Sequence, residues 1–124
     1  MLLTEADFAN LSLLQPNAAL RRLLQDAKVV ASDAMPPDVV TMNTQVVLHH
    51  ETSGERRVAR VVFPGDAEPA RGLLSVLDPM GMQLLGASPG HAIEGASPDG
   101  VRRLRVEQVV YQPEESLRTH LVTR

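Results

Sequence analysis

Cysteine and tryptophan are absent from this 124-residue chain, and Phe8, Phe63 and Tyr111 are its only Phe or Tyr rings. Without cysteine there are no disulfide scaffolds and no thiolate metal sites. With so few rings, the core must be built from Leu, Val, Ile, Met and Ala. A pocket that stacks bases or grips a proline ring needs aromatic walls that this chain can hardly supply. A basic excess is missing as well: 12 Lys and Arg stand against 15 Asp and Glu, a net charge of −3. Autonomous nucleic-acid binding calls for the opposite balance. No run approaches the roughly 18 apolar residues of a membrane span. The start, Met1-Leu2-Leu3-Thr4-Glu5-Ala6-Asp7, lacks the basic and apolar regions of a signal peptide. The expectation is a cytoplasmic protein with no membrane partner.

What is present begins with helical signals. Thr4-Glu5-Ala6-Asp7 resembles a capping box with Asp7 in place of the usual Glu, and Phe8, Leu11 and Leu14 follow at three-residue spacing. Gln15-Pro16-Asn17 interrupts the pattern, and Asn17 can cap a second helix in which Leu20, Leu23, Leu24 and Ala27 share one face. The spacing predicts a short antiparallel helical hairpin over residues 1–31, leucine stripe against leucine stripe. Met35-Pro36-Pro37 halts any helix, so residues 32–42 read as a proline-rich junction.

Beyond the junction the apolar period falls to two. Val-rich runs at 44–51 and 55–63 flank Thr52-Ser53-Gly54, a hairpin signal, and 72–77 gives a third strand. Pro79 near its start and Gly86 at its end bracket a short helix. Runs at 91–96 and 101–111 flank the turn Ser97-Pro98-Asp99-Gly100. Leu104 and Val106 share one parity while Val109 and Tyr111 share the other, which places a bulge near Glu107-Gln108. The sum is an α+β chain: the hairpin, then a five-stranded antiparallel sheet with one short helix over residues 43–113, then a polar, flexible tail at 114–124.

Three segments resemble a known family. Met35-Pro36-Pro37-Asp38-Val39-Val40-Thr41-Met42-Asn43 is similar to the junction motif of the regulator of nucleoside diphosphate kinase (Rnk) proteins. The run from Leu74 through Asp78-Pro79-Met80-Gly81 to Gly86 resembles the core of the Gre transcript-cleavage factors' C-terminal domain, which Rnk shares. Val106-Glu107-Gln108-Val109-Val110-Tyr111-Gln112-Pro113-Glu114 resembles the closing strand of the same proteins. The resemblance spans about residues 33 to 114. It implies an FKBP-like C-terminal fold, a coiled-coil-like N-terminal hairpin, and binding at the rim of the RNA polymerase secondary channel. Gre factors carry an acidic pair at the tip of a long hairpin, where it helps hold a catalytic magnesium ion; a hard cation wants carboxylate oxygens within reach. Here the tip, Leu14, Gln15, Pro16 and Asn17, holds no carboxylate, and the hairpin is short.

The resemblance therefore implies a non-enzymatic regulator, with no catalytic residue and no cofactor, that binds polymerase and competes with Gre-type factors without stimulating RNA cleavage. Nucleic acid is met only through the polymerase, and the chain is expected to be monomeric. The preferred partner-binding patch is Asp78, Pro79, Met80 and Gly81; a purely structural alternative has Asp78 capping the helix and Pro79 filling its first position. Pro36, Pro37 and Asp38 can take part in recognition or fix the angle between hairpin and sheet. His49 and His50 are adjacent on a strand and point to opposite faces, and His91 and His120 lack partners at ligand spacing, so no metal site is expected. Arg56, Arg57, Arg60, Arg102, Arg103 and Arg105 are interleaved with Glu55, Glu94 and Glu107, which reads as a solvated mixed-charge face. Two other functions stay open: direct regulation of a nucleotide-metabolising enzyme such as nucleoside diphosphate kinase, and an FKBP-like prolyl isomerase, which needs an aromatic pocket.

Overall fold

The computed structural model describes residues 1–14, 17–97 and 100–122. Its first strand, β1 (Leu2–Thr4), runs straight into helix α1 (Glu5–Leu13); α2 (Ala18–Asp26) follows and leads into β2 (Lys28–Val30). The caps read from sequence form. The Asp7 N–H donates to Thr4 Oγ1 at 3.1 Å, and the Leu20 N–H donates to Asn17 Oδ1 at 2.9 Å. The strands were not expected. β1 and β2 pair in parallel, Leu3 opposite Val29, so the two helices form the crossover that a parallel pair requires. Three-residue strands are too short to show an alternation, so no periodicity announces them.

The main sheet has the order β5-β4-β3-β7-β6. It comprises β3 (Gln45–His50), β4 (Arg56–Val62), β5 (Leu73–Ser75), β6 (Ala92–Ser97) and β7 (Gly100–Tyr111). The expected antiparallel sheet is corrected here, because β5 runs parallel to β4, with Val61 opposite Leu74. Residues 63–72 carry the chain across through 3-10 turns at Pro64–Asp66 and Pro69–Arg71, so it re-enters in the same direction. Gly72, at φ 78°, closes that crossover where a side chain would press on the Val58 carbonyl. The bulge expected near Glu107-Gln108 lies at Glu107, with a second at Val110: Leu48 pairs with Val106, Val47 with Gln108, Val46 with Val109 and Gln45 with Tyr111.

Helix α3 (Pro79–Leu84) sits across the inner face of the sheet. The core beneath it is continuous with the N-terminal helices. Leu3, Leu11 and Leu20 are fully buried in one cluster with Val46, Val61, Leu84 and Val106. The leucine stripes thus serve the sheet's core, and the hairpin is a lid on the inner face. The tail also differs from expectation: Pro113–Val122 forms helix α4. Pro113 sits at its first position and Glu114 and Glu115 in its first turn, where acidic groups favour a helix start. Buried Gln112 anchors it. Its side-chain amide donates to the carbonyls of Pro36 and Val39 at 2.7 Å each, while its Oε1 accepts the Glu115 N–H at 3.2 Å.

Candidate functional site

The loop before α3 is built around a glycine. Gly81 is buried, and a Cβ there would run into the Ser75 carbonyl oxygen. That close approach fixes the start of α3 against the end of β5. The Ser75 hydroxyl accepts the Leu77 N–H at 3.1 Å, and the Ser75 carbonyl accepts the Asp78 N–H at 3.1 Å. The patch therefore divides in two. Asp78 and Pro79 face solvent; Met80 is half-buried, lying where a side chain on Gly95 would have to be; Gly81 is packed away. Asp78 occupies the N-cap position with extended backbone, yet its carboxylate makes no capping hydrogen bond. The structural alternative thus holds for Pro79, which takes a first-turn position, and not for the Asp78 side chain.

Replacing Gly81 with alanine is expected to destabilise the fold by about 1–3 kcal/mol, because the obstacle is backbone and cannot swing aside. The same change at Gly65, which has open space around it, should be close to neutral. Chemical denaturation of the two variants checks this.

Of the expected hairpin tip, Gln15 and Pro16 lie outside the described residues. Leu14 packs against the core, and Asn17 reaches the candidate patch, its Nδ2 donating to the Leu77 carbonyl at 3.2 Å. Two of the three predicted groups are therefore neighbours. The third is apart from them. Pro36 accepts from Gln112, and Val40, beyond the outward-facing Pro37 and Asp38, exchanges backbone hydrogen bonds with Gly86 and Ala87 at the far end of α3. The C-terminal end of the junction is thus fastened just past the opposite end of α3 from Asp78.

The inner face holds a cavity of about 180 Å³, with Leu48, Ala59, Leu74, Met80 and Leu104 among its walls and His50, Glu55 and Arg57 at its rim. None of the described residues lining it is Phe, Tyr or Trp, the ring walls an FKBP-like isomerase would use to grip proline. On the outer face the arginines are matched by acids. Arg56 Nε meets both Glu107 carboxylate oxygens at 3.0 and 2.8 Å, Arg105 meets Glu51 at 2.9 Å, and Arg103 meets Glu94 at 3.1 Å. Arg56 holds the Glu107 carboxyl below the usual range. Arg60 bonds Gln45 and lies 5.3 Å from the Tyr111 ring centre. The pairs of Arg56, Arg103 and Arg105 with their acids are solvated, so these arginines form a mixed-charge face; the side chain of Arg102 lies outside the described residues. His49 and His50 alternate as expected: His50 rims the inner cavity and His49 lies opposite Arg105 and Arg56. Among the described residues no three His, Asp or Glu side chains gather where they could hold a metal ion. No described helix is long and apolar enough to cross a membrane.

One buried acid has no signature in the local sequence. Asp7 is buried; Oδ2 accepts the Met42 N–H at 3.1 Å, and Thr41, next in the chain, donates its hydroxyl to Glu114 Oε1 at 2.6 Å. Burial, with Glu114 nearby, raises the Asp7 carboxyl to a pKa of about 6, against the hydrogen bond from Met42. In sequence Asp7 looks like a first-turn helix acid, and local spacing cannot reveal that a loop 35 residues away presents its backbone to it.

With this geometry in view, the comparison with known proteins is decisive. Residues 35–111 match the GreA/GreB transcription elongation factor C-terminal domain. The chain belongs to that family. It is 39% identical over 97 residues to the regulator of nucleoside diphosphate kinase of Escherichia coli K12, an alignment that covers 77% of this chain and 71% of that protein. It is 31% identical over 91 residues to the transcription elongation factor GreA of Thermotoga petrophila, an alignment covering 73% of this chain and 58% of that factor. A GreA/GreB transcription elongation factor structure from Nitrosomonas europaea superposes with a TM-score of 0.78 at 33% identity, covering 90% of this chain and 98% of that one. The resemblance read from the three segments is thereby established: an Rnk-type relative with a Gre-type C-terminal domain, in a family of transcription-related regulators.

Proposed function

We propose that this protein is a cytoplasmic, monomeric regulator that binds RNA polymerase at the rim of its secondary channel through Asp78 and Pro79. By occupying that site it competes with Gre-type factors, and it performs no catalysis of its own. The observation that carries this reading is the outward, uncapped Asp78 carboxylate beside a rigid proline, on a loop held by the approach of Gly81 to Ser75. A carboxylate left free of its own helix is available to a basic residue of a partner, and Met80 adds an adaptable apolar edge. The absence of cleavage chemistry follows from the tip, where Leu14, Gln15, Pro16 and Asn17 bring no carboxylate for magnesium.

A pull-down with core RNA polymerase tests the reading. Wild type should be retained, and Asp78→Asn with Pro79→Ala should lose about tenfold or more in affinity, the scale of a contact at the centre of an interface. Equal retention would discard the patch, and failure of wild type to bind would discard the reading. Added to stalled complexes, the wild-type protein should slow Gre-stimulated RNA cleavage and stimulate none alone. The name of the Escherichia coli relative motivates one rival, direct contact with a nucleotide-metabolising enzyme. Co-purification of nucleoside diphosphate kinase without polymerase would favour it.

A further inference from the structure

The main sheet has two edges, and the chain blunts them differently. At one edge β5 is only three residues long, and its own crossover pairs with it: the Leu73 N–H donates to the Glu68 carbonyl at 3.2 Å and the Glu68 N–H to the Leu73 carbonyl at 2.9 Å. At the other edge β6 runs for six residues, Ala92–Ser97. A free strand edge is a template for a further strand, and proteins commonly guard it with proline, lysine or a bulge. β6 has none of these. It reads Ala-Ile-Glu-Gly-Ala-Ser, pairs with β7 in unbroken register, and has its one charge, Glu94, paired with Arg103 of β7 at 3.1 Å.

What meets this edge is a side chain of α3. The helix lies so close to β6 that the Met80 methyl occupies the place of a side chain at Gly95. One turn on, Gln83 Oε1 accepts the Glu94 N–H at 2.9 Å, and Gln83 Nε2 donates to the Glu94 carbonyl at 2.8 Å. Nε2 also donates to the Pro79 carbonyl at 3.1 Å, which fixes the orientation of the amide, since reversal would set its oxygen against two carbonyls. One donor and one acceptor offered to a single strand residue is what an adjacent antiparallel strand offers. Gln83 and Glu94 are both exposed, so water is at hand for these groups and satisfaction alone does not call for the amide. By the alternation of an antiparallel ladder, Ala92, Glu94 and Ala96 turn their backbone groups away from β7, and Gln83 stands at the middle of that row.

We infer that Gln83 is an edge guard: its amide stands in for a sixth strand at β6 and keeps the sheet from pairing, edge to edge, with a second copy of this chain. A second copy fits because the row is self-complementary. Two β6 strands related by a two-fold axis at Glu94 run antiparallel and exchange the same N–H and C=O groups that Gln83 engages. The two Glu94 carboxylates that would then face each other are each balanced by an Arg103, which weakens the repulsion that guards other edges. This role is separate from polymerase docking and does not depend on it.

Sedimentation velocity of the full chain tests the inference. Wild type should stay a single monomeric species over about a hundredfold range of concentration, whereas Gln83→Ala should self-associate about tenfold or more tightly. Alanine suits a helix, so the thermal midpoint should move little. In this variant the Glu94 amide should exchange with solvent quickly when dilute and slowly when concentrated, where a partner strand covers it. Adding Glu94→Pro should restore the monomer, because proline is tolerated on an outward-facing edge position but gives a partner strand no donor. Gln83→Lys, which puts a charge at the same edge, should remain monomeric. A folded Gln83→Ala chain that is monomeric at every concentration overturns the inference. So does association that survives Glu94→Pro or that Gln83→Lys shows equally, since the contact then lies elsewhere. A Gln83→Ala chain that no longer folds would make the amide a strut of α3 and overturn it as well.

Discussion

Leu20→Ala is expected to cost about 2–5 kcal/mol of global stability, the range for removing a buried leucine side chain without collapse of the space it leaves. Leu20 is fully buried near the start of α2 and belongs to a buried cluster that includes residues of the sheet. A domain of this size has only about 5–15 kcal/mol of net stability, so the loss should be large in a urea titration. The shape of the transition matters as much as its midpoint. If α1 and α2 packed only on each other, the variant would fray the helices and leave the sheet intact. Because Leu3, Leu11, Leu20 and Leu24 belong to the same cluster as Val46, Val61 and Val106, the helical signal and sheet amide signals should move to lower urea together. Leu13→Ala, on the exposed end of α1, should change stability by less than about 0.5 kcal/mol. A Leu20→Ala variant in which the helices melt first would show that the lid is a separate unit.

That contrast marks what periodicity can and cannot carry. The spacing of Leu20, Leu23 and Leu24 identifies an apolar face correctly, but a helical period names no partner for that face, and the sheet competes for it. Strand alternation behaves the same way. It locates β3, β4, β6 and β7 and even one bulge at Glu107, because a parity change is visible along a strand. It cannot give the direction of β5, which depends on the path of residues 63–72; the two prolines in that connection are the available hint. The segment after Gln112-Pro113 reads as an end because proline stops a strand, although proline is equally a helix's first residue. At the candidate site, Asp78 and Pro79 are legible through resemblance alone. That Gly81 serves packing, and that Asn17 ties the start of α2 to Leu77, requires coordinates, since both rest on backbone carbonyls distant in sequence or folded back.

Asp7→Asn is expected to stabilise the protein at neutral pH and to flatten its pH dependence. A carboxyl whose folded pKa lies near 6, above its ordinary 3.8, binds its proton more tightly in the folded state. The resulting stabilisation is complete below about pH 3.8 and is lost as pH rises through 6. Each tenfold change in proton affinity is worth about 1.36 kcal/mol, so at pH 7 the ionised, buried Asp7 represents about 2–3 kcal/mol of stability forgone. The causes are geometric: burial disfavours the charge, and Glu114 on α4 adds repulsion, while the Met42 N–H and Thr4 oppose them only in part. Asparagine keeps an oxygen for the Met42 N–H and removes the charge, so the variant should gain about 1–3 kcal/mol at pH 7.5 and little at pH 4. Alanine removes the charge too but strands that buried N–H, a loss of about 1–3 kcal/mol that offsets the gain. Glu114→Gln should give a smaller version of the asparagine effect, lowering the midpoint of the Asp7 titration. Urea unfolding of the four proteins between pH 4 and 8 separates these contributions. If the Asp7→Asn protein keeps the wild-type slope between pH 5 and 7, the buried carboxylate is not what titrates there.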